Sequence, residues 1–288
     1  MYKIYTDTPA NLSPDYIEKY DLTVVPLHYT IDNVEYPRKE DQAAVFEGKM
    51  FYEAMRKGAV VSTSMINTHT FQEAFSKSLE AGEDILYVSI SSGISGTYHA
   101  AVSAAEELKS RYPERKIAII DTKAASLGEG LIVLYAAKLK ERGLPLEKVV
   151  FLTEKKSESI CQYFTVEDLK YLKKGGRISG TAALVGTMLH IKPILMGNNE
   201  GKIVLNHKVR GRKKALNALI KKYYELVSDL HDAIGIAHAD CLEEAKLLAE
   251  KIKKMGHRGE IIIDYFEPVT GSHAGPGALA LFFHGNHR

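Results

Sequence analysis

The sequence predicts an α/β fold in two domains: an N-terminal mostly parallel sheet with helices on both faces, and a C-terminal α/β domain with mixed or antiparallel pairing. Three observations carry this expectation. The first half alternates continuous apolar runs with segments whose apolar residues recur at helical spacing, the pattern of parallel strands covered on both faces. The second half breaks that rhythm with "IKPILMGNNEGKIVLNHKVR", a hairpin pattern turning through Asn198 to Gly201. A chain of 288 residues, 45% of them hydrophobic, is long enough to bury two cores. The boundary is expected between residues 158 and 159, giving domains 1–158 and 159–288.

Taken in order, "KIYTDT" and "LTVVPLHYTID" read as strands, "AVFEGKMFYEAMRKG" as a helix, "AVVSTS" as a strand end and "TFQEAFSKSLEAG" as a further helix. In "DILYVSISSGISGTYHAAVSAAEEL" the apolar run Ile85 to Ile90 meets a small, hydroxyl-rich loop and then a helix with Ala101, Ala104, Ala105 and Leu108 on one face. "KIAIIDT" reads as a strand, Gly128 to Arg142 as a helix, and a shorter helix begins near Pro145. In the second half "SICQYFTV" is strand-like and "EDLKYLKK" helical. After the hairpin, Leu216, Leu219, Ile220, Tyr223 and Val227 mark one helix face, followed by strand, helix and strand through "EIIIDYF".

Composition narrows the function classes. A formal charge of +2 is too small for a global nucleic-acid field. The longest apolar run, Leu131 to Ala137, falls far short of the roughly 20 residues that cross a bilayer, so no stable membrane insertion is expected. The amino terminus enters a strand pattern without a signal-peptide layout, which makes a cytoplasmic location the expectation. Cys161 and Cys241 each lack a nearby second cysteine, so neither a disulfide framework nor a zinc site is expected, and both read as packed thiols.

In a doubly wound sheet ligands sit beyond the carboxyl ends of the strands. The segments Thr6-Asp7-Thr8, Ser62-Thr63-Ser64, Ser91 to Thr97 and Asp121-Thr122 all bring hydroxyls or a carboxylate to that edge. Hydroxyls beside the amino terminus of a helix suit a small anion, although they also commonly cap helices. Neither a phosphate-loop lysine nor a GxGxxG pattern accompanies Gly93 and Gly96.

The segments "STS" at 62–64, "ISSGISGTY" at 90–98, "DTKAASLGEG" at 121–130, "YLKKGGRIS" at 171–179, "IKPIL" at 191–195 and "HAGPG" at 273–277 occur in the order that resembles the DegV family, across nearly the whole chain. The resemblance implies a two-domain, fatty-acid-binding protein of the type that serves as the B subunit of a bacterial fatty-acid kinase. Such a protein encloses a long-chain fatty acid between its domains and presents the carboxylate to a separate ATP-dependent kinase subunit for acyl-phosphate formation. It implies no catalytic residue in this chain, no metal, and no cofactor beyond the bound lipid. The family pattern carries carboxylate binding to Thr63 and Ser95, with Gly96 and Thr97 adding backbone and hydroxyl groups and His273 a further donor. Arg177 is carried to the head group or the kinase-facing surface.

The residues have readings of their own. His273 sits among Gly271, Gly275 and Gly277 in what reads as a flexible loop. The glycine pair before Arg177 ends the preceding helix and turns the arginine away from it. Five cations between Lys208 and Lys214 precede a helix, where positive charge opposes the dipole; a docking surface is the expectation and nucleic-acid binding the rival. "TAALVGTMLHIKPIL", with small Ala182, Ala183 and Gly186 among Leu184, Met188, Leu189 and Ile191, is a possible acyl-chain wall. His238 and Asp240 lack a third metal ligand and read as strand-end packing. Two departures from the family pattern are Thr8-Pro9 after Asp7 and the absence of a proline soon after "STS", where Met65 and Ile66 stand instead. The alternative class is an autonomous phosphoryl- or acyl-transfer enzyme; it lacks a nucleotide loop, and Ser95 lacks the GxSxG context of a hydrolase nucleophile.

Overall fold

The structure, a computed structural model, describes residues 1–36, 47–178 and 190–288. The chain runs β1 (Tyr2–Asp7), α1 (Pro14–Lys19), β2 (Leu22–Val25), β3 (His28–Ile31), β4 (Val34–Tyr36), α2 (Gly48–Arg56), β5 (Val61–Ser64), α3 (Thr68–Glu80), β6 (Asp84–Ser89), α4 (Thr97–Arg111), β7 (Ile117–Asp121), α5 (Leu127–Glu141) and α6 (Leu146–Ser157). It continues β8 (Ile160–Thr165), α7 (Lys170–Lys174), β9 (Ile191–Gly197), β10 (Ile203–Arg210), α8 (Arg212–Leu226), β11 (Ile234–His238), α9 (Leu242–Lys254), β12 (Ile261–Tyr265), α10 (Pro268–Ala274) and β13 (Leu279–His284).

Three sheets result. One is parallel throughout, in the order β2-β1-β6-β7. The second, β10-β9-β8-β13-β11-β12, is antiparallel except for the β11–β12 pair. The third, β4-β3-β5, is a small antiparallel sheet.

Side-chain alternation explains the layering. Tyr5, Ile85 and Tyr87 face α3 and α4, packing on Phe71, Phe75, Ala101 and Leu108. Their neighbours Ile4, Leu86 and Val88 face the opposite way, toward α5. In the second sheet Phe164, Leu195, Ala280 and Phe282 face this same α5 layer, while Tyr163, Ile194, Leu281 and Phe283 pack on α8 and α9. Helix α5 therefore lies between two sheets, which accounts for a helix that is apolar nearly all round. Small residues make this sandwich possible. A methyl on Gly128 would stand 2.8 Å from Phe282 Cδ1, and one on Gly235 of β11 would stand 2.6 Å from Leu127 Cβ.

Several expectations need correction. "LTVVPLHYTID" is two strands in two sheets, broken at Pro26, which supplies no ladder N–H. The "AVVSTS" segment is β5 of the small antiparallel sheet, not a parallel strand end, so Thr63 reaches the site from another direction. His273 lies in α10, not in a loop. Pro268 begins that helix, and the Glu267 carboxylate caps it by accepting from Val269 N and Thr270 N, each at 2.6 Å. "EDLKYLKK" forms helix only over Lys170–Lys174, and β13 occupies the middle of the second sheet. Residues 181–189 of the possible wall lie outside the described residues, as do Ala44 to Phe46 of the helix expected over 44–58; Ile191 begins β9.

Candidate functional site

A cavity holding, with its mouth, about 910 Å³ of space between atoms lies where the ends of the parallel strands meet the second sheet, α10 and β5. Small sheet and short helix bring its polar residues together. Strand β3 holds β5 by pairing Tyr29 with Thr63, and α10 packs on both strands. Thr63 Oγ1 and His273 Nε2 are 2.9 Å apart, and either can donate, according to the imidazole tautomer. The other face of the ring lies against Gly175, where any side chain would collide with His273 Nδ1. Burial, and then the nearby Arg177 charge, lower the His273 pKa from 6.5 to about 4, so the ring is neutral at pH 7.

Ser95 also lines the cavity, from the loop between β6 and α4. Its hydroxyl donates to Thr97 Oγ1 at 2.9 Å and accepts from Thr97 N at 3.3 Å, closing the first turn of α4. Thr97 itself is fully buried behind the wall, its Oγ1 also accepting from Ile66 N at 3.4 Å. Gly96 likewise stands behind the wall: a methyl there would lie 2.5 Å from the sulfur of Met65, whose half-exposed side chain lines the cavity. Arg177 lines it as well. Its Nε donates to Ile94 O at 3.2 Å and its Nη1 to Gly175 O, and no described carboxylate pairs with it. Thr63, Ser95, His273 and Arg177 thus converge on one cavity, and Gly96 and Thr97 support it from outside.

Away from this cluster the wall is largely apolar, with Leu172, Phe164, Phe266, Ala280 and Phe282. Gln162 is an exception in type only. Its Oε1 accepts from Ala125 N at 3.1 Å and its Nε2 donates to Lys123 O at 3.0 Å, so the amide is spent in fastening the loop after β7 to the second sheet. That loop holds Lys123 and Ser126 at positive φ, a conformation that costs free energy and that the Gln162 clamp opposes undoing. Met65 is expected beside Thr63 only as a departure from the family pattern, and Gln162 and the loop 123–126 carry no expected role in the site. A lone amide inside an apolar strand was the available signal for Gln162.

The cationic segment 208–214 is not uniformly available for docking. Arg212 is engaged on two sides, by Glu244 through Nε at 3.0 Å and Nη2 at 2.5 Å, and by Glu167 through Nη1 at 3.4 Å. Lys208, Arg210, Lys213 and Lys214 are exposed. His238 packs at the end of β11 against the Tyr265 ring, with centroids 4.3 Å apart. Among the described residues no group of three or more His, Cys, Asp or Glu could hold a metal ion, and no helix is long and apolar enough to cross a membrane.

Known proteins with this architecture have similar chains throughout their length. A DegV domain-containing protein of Clostridium perfringens is 41% identical over 286 residues, covering 99% of this chain and 98% of that protein. One from Lactococcus lactis is 36% identical, covering 98% and 96%. Among solved structures, a DegV family protein of Thermus thermophilus described by its fatty-acid binding superimposes with a TM-score of 0.86 at 28% identity, covering 99% of each chain. DegV of Bacillus subtilis, described as a fatty acid binding protein, superimposes with a TM-score of 0.82 at 27% identity, covering 98% of each. The model described as uncharacterised protein, DegV family, matches residues 1–286, across both halves: the chain belongs to the DegV family.

Proposed function

We propose that this protein is a non-catalytic carrier that binds a long-chain fatty acid in the cavity and presents its carboxylate to a separate ATP-dependent kinase subunit. The observation that carries the reading is a cavity on which Thr63, Ser95, His273 and Arg177 converge and whose remaining lining is mainly apolar, with Ser64, Lys123, Ser126, Gln162 and Thr270 as the other polar residues. With His273 Nε2–H donating to Thr63 Oγ1, the Thr63 hydroxyl can donate a charge-assisted hydrogen bond to a carboxylate, and the Ser95 hydroxyl can join it by turning from Thr97 Oγ1, while Arg177 supplies nearby positive charge. The tail supplies most of the gross affinity, on the order of 10 kcal/mol at about 0.8 kcal/mol per methylene before ordering costs. Fatty-acid binding by the Thermus thermophilus and Bacillus subtilis relatives supports the same ligand class.

Solvent extraction of the purified protein should release a fatty acid in near-stoichiometric amount. Thr63→Val combined with Ser95→Ala should leave the fold intact and lower retention of the acid or its competence as a phosphoryl acceptor. Unchanged retention and unchanged phosphorylation would remove both residues from the site. Acyl phosphate formed from ATP and magnesium by this chain alone would overturn the carrier reading in favour of an autonomous transferase.

A further inference from the structure

The loop 90–95 is gripped from both halves of the chain. From the first half, Asp7 Oδ2 accepts from Ile90 N at 3.1 Å and Asp121 Oδ1 from Ser92 N at 3.1 Å, while Lys123 Nζ donates to Ser92 Oγ at 2.8 Å. From the second half, the turn joining β9 to β10 lies directly on the loop. Ser91 Oγ donates to Gly201 O at 2.8 Å and accepts from Gly93 N at 3.0 Å, so one buried hydroxyl joins turn and loop. The contact is backbone on backbone. A methyl on Gly93 would stand 2.5 Å from Glu200 O and 2.6 Å from Gly201 C, and Gly201, at φ +73°, has no room for one beside Ser91 Oγ. The turn is preformed: Asn198 Oδ1 accepts from Glu200 N at 3.1 Å and Lys202 N at 2.9 Å, an arrangement that sets its shape independently of the loop.

We propose that this turn is the positioning element of the head-group site, a latch in which Gly93, Gly201 and Ser91 seat the second half of the chain on the loop that carries Ser95. The inference rests on the fatty-acid reading. The three residues need not touch the ligand; they act through the loop, fixing where the Ser95 hydroxyl and the amino terminus of α4 stand relative to Thr63 and His273. The latch also links the two ends of the ligand's problem, because Gly197, Gly201 and Ile203 of this hairpin line the acyl cavity.

The test compares palmitate with methyl palmitate on the delipidated full chain, since the ester keeps the tail and loses the charged head. Wild type should prefer palmitate by about tenfold or more, as expected for hydrogen bonds to a charged group. Gly93→Ala, outside the cavity lining, should bring that ratio close to unity while methyl palmitate affinity stays within about twofold, and Gly201→Ala, at a residue that lines the cavity, should cost palmitate more than methyl palmitate. Ser91→Ala, which adds no bulk, should lower the ratio about fivefold, the effect of one hydrogen bond, and it decides the matter if the glycine variants do not fold. An unchanged ratio in folded variants, or equal loss for both ligands, overturns the latch and leaves the fatty-acid reading standing. Wild type that binds neither ligand overturns the fatty-acid reading, and the latch with it.

Discussion

His238 and His284 are buried and His273 is half-buried; all three are neutral, with pKa values lowered chiefly by desolvation to about 4 for His273 and His238 and about 3 for His284. Unfolding exposes them to water, where they take up a proton near 6.5. Their contribution to stability is complete above pH 6.5 and is lost as pH falls toward 4. Glu267 has the opposite sign: burial of its carboxyl raises the pKa from 4.5 to about 7, so its contribution is complete below about 4.5 and is lost as pH rises through 7. Asp7 and Glu129 are raised in the same sense by burial; Asp7 raises Glu129 further, whereas the hydrogen bond with Glu129 lowers Asp7. Asp7 Oδ1 and Glu129 Oε2 have no other partner, and the two carboxyls interact, the arrangement in which one proton held between them would satisfy both. Two opposed slopes overlap between about pH 4.5 and 6.5, which keeps the net dependence shallow there. Urea midpoints across pH should separate them. His273→Asn should lose less stability than wild type on acidification from pH 6.5 to 4.5, by up to roughly 3 kcal/mol. Glu267→Gln should flatten the decline on raising pH from 5 to 8, by a similar amount. Parallel wild-type and variant curves would show that neither group titrates differently on folding.

At the scale of elements, the parts legible in the sequence were those whose neighbours are local in the chain. Helices α3, α4, α8 and α9 bury one face each, and the 3.6-residue period records it. The hairpin β9–β10 is announced by Asn198 and Gly201. Strands β3 and β5 were misread because their partners are set by tertiary contacts, and short apolar runs carry no mark of parallel or antiparallel pairing. His273 was misread because glycines around it suggested a loop, while the helix signal, Pro268 with the Glu267 cap, lies several residues earlier. Among site residues, the hydroxyls and His273 stood out by motif, whereas Met65, Gln162 and Ser126 matter only through where neighbouring elements put them. Helix α5 supplies the test at this scale. A side chain at Gly130 would meet the backbone carbonyl of Ala10, which cannot rotate away. Gly130→Ala should therefore destabilise by about 1–2 kcal/mol, overpacking outweighing the roughly 1 kcal/mol gain in helix propensity. Gly128→Ala presses on Phe282, a cavity-wall ring, and should weaken fatty-acid binding as well as stability. A urea midpoint for Gly130→Ala equal to or above wild type would mean that the contact relaxes at no cost.

For the whole molecule, the division between the two large sheets falls between α6 and β8, yet the core does not divide there. One apolar cluster runs from Ile4 and Leu86 through α5 to Phe164, Ala237 and Phe282, so each sheet uses the same helix to cover a face. We propose that the two halves fold as one unit for this reason: separating them would expose α5 on one side or the other. A fatty acid held in the proposed site would touch both halves, since both line the cavity, so ligand and core would stabilise the same state. Calorimetry of the delipidated protein should then give a single transition. Palmitate at about 100 times its Kd should raise the midpoint by about 5 °C, the shift expected from roughly 2.7 kcal/mol of linkage in a chain of this size. Because the tail dominates affinity, Ser95→Ala should retain most of that shift when palmitate is saturating, while its loss of head-group bonding appears in the concentration needed. Two separate transitions, with palmitate moving only one of them, would show that the halves are thermodynamically independent and that the cavity belongs to one of them alone.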